Sequence, residues 1–428
     1  MDAALDVAAV PAEADADSAG WRILRGIFYA FVLWIPIETL VVFDANSKDP
    51  GHGGLTISKI LGLALFAGAL VEWKRAFQRI PAAFWMIVWY TSVLAISELW
   101  VPRWLGGKFR ANELTLVQMV GLFVIATNLL RDARYRASLL RFYGWWSALV
   151  AVSMVLGVFG HQFEDVEGRF TLLGEDPNFT AGMFALGAVC IAGNKKLREA
   201  KYFLPRLGAA LAALGVLTAA ILQTGSRGGL LSFTAGVFGL ALCGSKSSLS
   251  KRLLLGGGLV ILLSGMVAEE FARGSTTAHR LQRSWDEGDT AGRTEIWNYS
   301  WEMVAERPLL GYGGVNNFYT LGSRLSFDMN GFYYRDTHNL LLAVLTEVGL
   351  IGGIPFLGAM LYVLWLAWRY GGRSDDGVPF ALMCVLFLMN ASITGYHQKI
   401  FWVVVAAAVA AGMDRGGEAR PAEESDVL

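Results

Sequence analysis

The amino-acid sequence predicts an all-α, polytopic membrane bundle of twelve transmembrane helices with one large, helix-containing loop on the outward side. Three observations carry this expectation. Of 428 residues, 54% are hydrophobic and only 17% charged, whereas soluble domains average about 25% charged residues. The apolar residues fall in blocks, most of them long enough to cross a hydrocarbon core of roughly 30 Å as a helix. Basic residues are distributed unevenly between the two sets of connections. Together these exclude an ordinary soluble enzyme. Lys+Arg and Asp+Glu both number 36, so net charge carries no nucleic-acid signature and none is expected as a partner.

Spans are expected at 21–43, 55–73, 81–99, 114–130, 139–160, 177–193, 203–223, 228–244, 252–270, 353–370, 378–395 and 400–413. The first is too long for a signal peptide, follows a 20-residue Ala/Asp/Glu-rich tail and lacks a small-x-small cleavage site. The chain divides into a cytoplasmic tail (1–20), nine spans (21–270), a large outward loop (271–338), a re-entering helix with three spans (339–413) and a second cytoplasmic tail (414–428). Orientation follows from the basic residues: one side holds 21 Lys and Arg, the short connections of the other only 7. Positive charge stays inside, so both termini are expected in the cytoplasm. Cys190, Cys243 and Cys384 lie inside apolar blocks without C-x-x-C spacing and read as small buried hydrophobes.

The outward loop contains a helix over Arg293–Arg307, with Asp289 or Thr290 as its cap and Pro308 as its stop. Trp297, Trp301 and Val304 share one face of it. That face suits a helix lying on the membrane surface or capping the bundle. No internal repeat relates the two halves, which weighs against a secondary transporter built from matching halves.

Polar groups at membrane depth carry the functional information, because burying them is costly. On the outward side these are mainly basic: Lys59, Arg110, Arg169, Arg227, Arg293, His338 and Lys399. Arg227 sits between two spans with almost no loop, in Thr224-Gly-Ser-Arg-Gly-Gly-Leu230. A guanidinium fork beside glycine amides suits an anionic phosphate, and a snorkelling arginine has no need of flanking glycines. Arg169 precedes Asp176-Pro177, where Asp caps and Pro opens a helix whose N-terminus favours anions. His338 lies where the polar loop re-enters an apolar helix; imidazole accepts protons near neutral pH. Asp286, Glu287 and Asp289 read as a solvated acidic run. With no H-E-x-x-H and no phosphate-binding loop, neither a metal nor ATP nor any other cofactor is expected.

These stretches resemble one family. Ser226-Arg-Gly-Gly229, Gly292-Arg-Thr-Glu-Ile-Trp297, Glu306-Arg-Pro-Leu-Leu-Gly-Tyr-Gly-Gly314, His338-Asn339 and Glu347-Val-Gly-Leu-Ile-Gly352, with Asp176-Pro-Asn178, are similar to the O-antigen ligase/polymerase superfamily. The motifs cover residues 168–353; the first five spans match only in general character. The resemblance implies a GT-C-type glycosyltransferase of the bacterial inner membrane, using undecaprenyl-diphosphate-linked glycans at the periplasmic face without nucleotide sugar. Three activities share the signature: ligation to lipid A–core, polymerisation of repeat units and protein O-glycosylation. One long loop after the ninth span and a short polar C-terminus look most like a ligase.

On that reading the donor is undecaprenyl-diphosphate-linked O-antigen, the acceptor is lipid A–core, and transfer inverts the anomeric centre. Arg227 and Arg293, with Lys59, Arg110, Arg169 and Lys399, would bind the donor diphosphate, and His338 would act as base. Glu347 lies nine residues beyond His338, on the opposite helix face, and is not expected to orient the imidazole. A lipid-linked-glycan transporter is the rival from another class; it would need access from both sides.

Overall fold

The computed structural model describes residues 18–38, 56–162, 169–194, 203–243, 292–325, 334–374 and 376–413, with single positions at 274, 278, 282 and 286. The fold is an all-α polytopic bundle. Its helices are α1 (Ala19–Trp34), α2 (Ile57–Val71), the short α3 (Trp73–Ala76), α4 (Ala82–Ser97), α5 (Gly106–Leu129), α6 (Ala133–Val155) and α7 (Pro177–Ala192). There follow α8 (Phe203–Gln223), α9 (Arg227–Leu242), α10 (Arg293–Glu306), α11 (Asn316–Leu325), α12 (Leu340–Ser374), α13 (Val378–Asn390) and α14 (Lys399–Met413). Among the described residues, six helical segments are long and apolar enough to cross a membrane, and five shorter apolar helices accompany them. Each of the eleven overlaps an expected span. The span at 252–270, the tails 1–17 and 414–428, His52, His279, Asp289 and Thr290 lie outside the described residues.

Burial follows sequence wherever helices are surrounded. Helix α7 reads PNFTAGMFALGAVCIA and is buried on nearly all sides, packed by α6, α8, α9 and α13. Its small residues let those neighbours approach closely. Helix α14 is likewise buried from Ile400 to Ala411, between α5 and α12. Peripheral helices instead expose large apolar side chains, among them Leu63, Leu70, Trp85, Leu211, Phe238 and Ile354. In water such a girdle would drive aggregation; in a bilayer it is the lipid-facing surface.

Basic connections gather at one end of the bundle. Arg25 pairs with Asp132 at 3.1 Å, and Arg131 donates to Gln78 at 2.7 Å. Arg136 donates to the Tyr370 hydroxyl at 3.0 Å, and the Asn128 amide both accepts from Arg79 N and donates to Arg79 O.

Four elements differ from expectation. A two-stranded hairpin, β1 (Gly160–Gln162) with β2 (Phe170–Leu172), precedes α7. Helix α5 begins at Gly106 rather than 114, because Lys108, Arg110 and Glu113 extend it beyond the apolar stretch. Helix α10 starts at Arg293, where left-handed Gly292 (φ 73°) turns the chain into it without a side-chain cap. Of the expected face, Trp297 is half-buried and donates to the Thr337 carbonyl. Ile296, Tyr299 and Met303 pack with Tyr312, Leu321 and Leu325, because α11 covers that side, and Trp301 is left exposed. Glu306 and Arg324 tie these two helices with contacts of 3.0 and 2.6 Å. Hydrogen bonds from Arg324 and then Tyr312 pull the Glu306 carboxyl down to about 2.

The fourth difference is the most consequential. The expected span at 353–370 is part of α12, a helix broken at Gly349 (φ 59°, ψ −158°). The break removes backbone hydrogen bonds, and an extended segment before α11 supplies replacements. Tyr312 N donates to Thr346 O and Gly313 N to Glu347 O, both at 2.8 Å; Leu350 N donates to Pro308 O at 2.7 Å and Ile351 N to Leu309 O at 3.1 Å. The contact is so close that a Cβ on Gly349 would meet the Leu309 carbonyl and lie 2.6 Å from Leu310 N. A Cβ on left-handed Gly311 would lie 2.6 Å from the Glu347 carbonyl carbon. Two motifs of the sequence, Glu306–Gly314 and Glu347–Gly352, are therefore the two halves of one clamp.

Replacing Gly349 by Ala adds both a backbone cost of about 1–3 kcal/mol for a strained φ and this collision. The thermal midpoint of purified Gly349→Ala protein should fall by several degrees or the protein should fail to accumulate. Gly372→Ala, in the same helix with nothing within 4 Å of its Cβ position, should leave the midpoint unchanged or raise it.

Candidate functional site

Four of the helix starts at the end opposite the basic connections, those of α7, α9, α10 and α12, are joined by side-chain contacts. Asp176 caps α7, its carboxylate accepting from Asn178 N at 2.7 Å and Phe179 N at 3.1 Å, with Pro177 at the first position as the sequence indicates. Ser226 caps α9: its hydroxyl accepts from Gly229 N at 3.0 Å and donates to Asn178 Oδ1 at 2.8 Å. The starts of α7 and α9 are thereby joined side by side. Arg169, entering from β2 and only 7% exposed, spans both. Its Nε donates to the Thr224 carbonyl at 2.9 Å and its guanidinium approaches Asn178 Oδ1 at 3.4 Å.

Arg227 is the first residue of α9 and half-buried. The next residue, Gly228, packs against Ser392, whose Cβ would lie 2.9 Å from a Cβ placed there. Ser392 belongs to the connection 391–398 between α13 and α14. Its carbonyl accepts from Arg293, the first residue of α10, at 3.3 Å. Two residues on, Thr394 donates to Asp336 Oδ1 at 2.6 Å, and the same oxygen accepts from His338 N at 3.1 Å. A continuous chain of contacts thus runs from Arg169 through Asn178, Ser226, Gly228, Ser392 and Thr394 to Asp336 and His338.

His338 has a left-handed backbone (φ 48°), rare for a residue with a side chain and concentrated at functional sites. It is not the cap of α12; Asn339 is, accepting from Leu342 N at 3.2 Å. The Trp297 indole donates to the Thr337 carbonyl at 3.1 Å, tying α10 to the same loop. Starts of α7, α9, α10 and α12 therefore converge. Side-chain caps take N–H groups of α7, α9 and α12, and the dipoles of the four helices add positive potential to that of the arginines.

The remaining expected basic residues stand apart from this chain. Lys399 opens α14 and forms an ion pair with Glu38. With Lys59 it lines an apolar cavity of about 410 Å³ walled by Phe31, Leu63, Phe66 and Leu122. Glu175 adjoins Glu38 and Lys399 and precedes the α7 cap, so this cavity neighbours the start of α7. Arg110 pairs with Glu98 at 2.9 Å on an exposed surface. Glu347, fully buried, accepts hydrogen bonds from Tyr90 at 2.6 Å and Tyr396 at 2.9 Å. It anchors the 391–398 connection rather than the imidazole, as its helical spacing from His338 indicates.

Sequence reading passed over Asn178, Ser392 and Thr394 as site residues. The signal for the last two was present: Asn390-Ala-Ser-Ile-Thr-Gly395 interrupts the apolar run that the expected span 378–395 crossed, and α13 ends at Asn390.

Fold and polar end together define a multi-pass membrane protein with a histidine and three arginines linked across its helix starts. Residues 210–357 match the family model described as O-antigen ligase. The O-antigen ligase of Pseudomonas aeruginosa is 28% identical over 209 residues, 46% of this chain and 46% of that protein. The chain thus matches less than half the length of this curated relative. Both findings make the second half of this chain similar to the O-antigen ligase/polymerase superfamily. Arg227, Arg293, His338 and both halves of the clamp fall inside the matched region; Lys59, Arg110, Arg169 and Lys399 fall outside it.

One titration is readable at this end. Burial first, then Glu38 and Asp176, push the Glu175 carboxyl from 4.5 up to about 7, against the opposing Lys399 charge. Between those values the folded chain holds a proton that the unfolded chain has released, so this group's contribution to stability falls as pH rises through the window. Glu175→Gln should therefore raise the thermal midpoint at pH 8. The advantage should vanish below about pH 4.5, where the unfolded carboxyl is also protonated. A midpoint difference independent of pH would contradict the assignment.

Proposed function

We propose that this protein is an O-antigen ligase. It transfers a glycan from undecaprenyl diphosphate to a hydroxyl of lipid A–core, at the periplasmic face of the inner membrane, with inversion and without metal or nucleotide. The observation that carries this reading is the contact chain joining the arginine-bearing helix starts to His338 through Ser392 and Thr394. A transferase needs two things at one centre: cations where charge grows on the leaving group, and a proton acceptor where the nucleophile enters. The family match supports the glycan chemistry. Basic connections at the opposite end support a periplasmic site and cytoplasmic termini.

Arg227 and Arg293, at the first positions of α9 and α10, are the donor ligands. Their guanidinium forks match phosphate oxygens, and the helix dipoles behind them point the same way. Arg169 holds the α7 and α9 starts in register through Thr224 and Asn178, and so positions Arg227. Lys59 and Lys399 stand beside the apolar cavity near the polyprenyl chain, and Arg110 contributes positive potential from the rim.

The acceptor oxygen attacks the sugar C1 as the bond from C1 to the diphosphate oxygen breaks. A sugar hydroxyl is far too weak an acid to be deprotonated beforehand by imidazole, so His338 takes its proton as the new bond forms. The electron pair of the broken bond leaves on undecaprenyl diphosphate, whose added charge the arginines neutralise. The proton then passes from imidazole to solvent or to the departing diphosphate. Single displacement inverts the anomeric centre.

Purified protein, supplied with undecaprenyl-diphosphate-linked glycan and lipid A–core in EDTA without ATP, should yield the conjugate on a gel. Glycan ladders formed without lipid A–core would mark a polymerase instead. Movement of donor across proteoliposomes without any product would mark a transporter. His338→Ala should lose about 10²–10⁴-fold in rate with insertion intact. Arg227→Lys keeps charge but loses the fork, and should be strongly impaired; near-normal activity would reduce Arg227 to an interfacial anchor.

A further inference from the structure

Beside the His338 loop, three chain segments assemble an aromatic wall that the phosphate and proton chemistry does not use. Trp104 comes from the turn Arg103–Leu105, Tyr319 from α11 and Tyr334 from the loop leading to His338. The Trp104 and Tyr319 rings stand edge to face at 5.2 Å, and Tyr319 and Tyr334 do so at 5.7 Å. Phe318 backs Tyr334 at 5.1 Å, and Arg335 N donates to the Phe318 carbonyl at 3.2 Å, fixing the loop to α11. Tyr319 is buried, but Trp104 remains 60% and Tyr334 54% exposed. The ammonium of Lys108 donates to the Tyr319 hydroxyl and lies 5.1 Å from its ring centroid.

We propose that this wall is a saccharide subsite that holds the sugar chain of the acceptor; this rests on the transferase reading above. A pyranose presents an apolar face of C–H groups and a rim of hydroxyls. Exposed aromatic rings match the face through C–H contacts. An ammonium and phenol hydroxyls match the rim, and the positive charge favours sugars bearing phosphate or carboxylate. A surface meant only for acyl chains would have no use for a lysine drawn in among the rings.

Location selects the acceptor. Tyr334 is four residues before His338, so their Cα atoms lie within about 14 Å, the reach of four extended residues, a span that a short oligosaccharide covers. The wall joins the site on the side of the base, where the nucleophile must enter. The arginines that receive the leaving group belong to α9 and α10, which meet the connection 391–398 through Gly228 and Arg293, and α10 also reaches the His338 loop through Trp297.

The test is saturation-transfer NMR on full-length protein in nanodiscs, carrying His338→Ala so that nothing turns over. The probes are delipidated core oligosaccharide and delipidated O-polysaccharide, each released by mild acid from the host's lipopolysaccharide. Core oligosaccharide should bind, and Trp104→Ala and Tyr334→Ala should each weaken it by about tenfold. Trp104→Phe and Tyr334→Phe, which keep a ring, should bind within about threefold of the parent. Elution as a monodisperse peak confirms that each variant is folded. Weakening confined to the O-polysaccharide would overturn the acceptor assignment. Unchanged binding of both probes would overturn the subsite and leave the rings as membrane-interface aromatics. Because the readout needs no transfer, core binding through the wall would survive a failure of the ligase assay, and a working ligase would survive the loss of this proposal.

Discussion

Gly349 breaks α12 in the middle of a bundle where water is scarce, and the backbone groups it frees must find partners within the protein. In hydrocarbon an unpaired amide or carbonyl costs several kcal/mol. The stretch Pro308–Gly313 meets that demand with four hydrogen bonds, and only glycines at 311 and 349 let the two backbones come close enough. Because the clamp fixes the segment between α10 and α11 to the break in α12, it sets the position of those two helices. It does so without any side chain reaching toward the candidate site. Glu347, beside the break, extends the same constraint to Tyr90 of α4 and to Tyr396, and so to the connection that carries Ser392 and Thr394.

That connection is the second organising element. Residues 391–398 touch the starts of α9 and α10 through Ser392 and the His338 loop through Thr394. Cationic and basic groups brought from segments more than a hundred residues apart are held by one short turn. Its rigidity comes from the buried Tyr396 hydroxyl on Glu347 and from the Trp402 indole on the Tyr396 carbonyl at 2.7 Å. Helix ends braced in this way are preorganised, which is what the proposed stabilisation of a leaving group would require.

Much of this was legible in the sequence. Apolar length marked the helices, and Asp176-Pro177 marked the start of α7 by a mechanism that the cap hydrogen bonds bear out. The grouping of Arg169, Arg227, Arg293 and His338 at one end followed from alternating connections. What stayed hidden depends on tertiary partners. The packed face of α10 could not be read because it is defined by α11, whose own apolar pattern is short. The break in α12 looked like ordinary glycine-rich helix packing, since the segment that satisfies it lies some forty residues earlier in the sequence. Ser392 and Thr394 appeared as the end of a span. Lys59, Lys399 and Arg110 were expected on the same side as the cluster, but side is one coordinate of three: Glu38 pairs with Lys399 and Glu98 with Arg110, and Lys59 lines the cavity beside Lys399.

The left-handed backbone at His338 also limits what can occupy that position over evolutionary time. Asparagine, aspartate and histidine visit this conformation several-fold more often than other side chains, and glycine does so freely. Drift at residue 338 is therefore confined to a small set by conformation alone, before any selection for chemistry acts. Within that set only histidine carries a nitrogen that takes up a proton near neutral pH. The turn thus acts as a filter on the substitutions available, so that loss of the imidazole exchanges it for a residue that keeps the shape of the loop and none of its basicity.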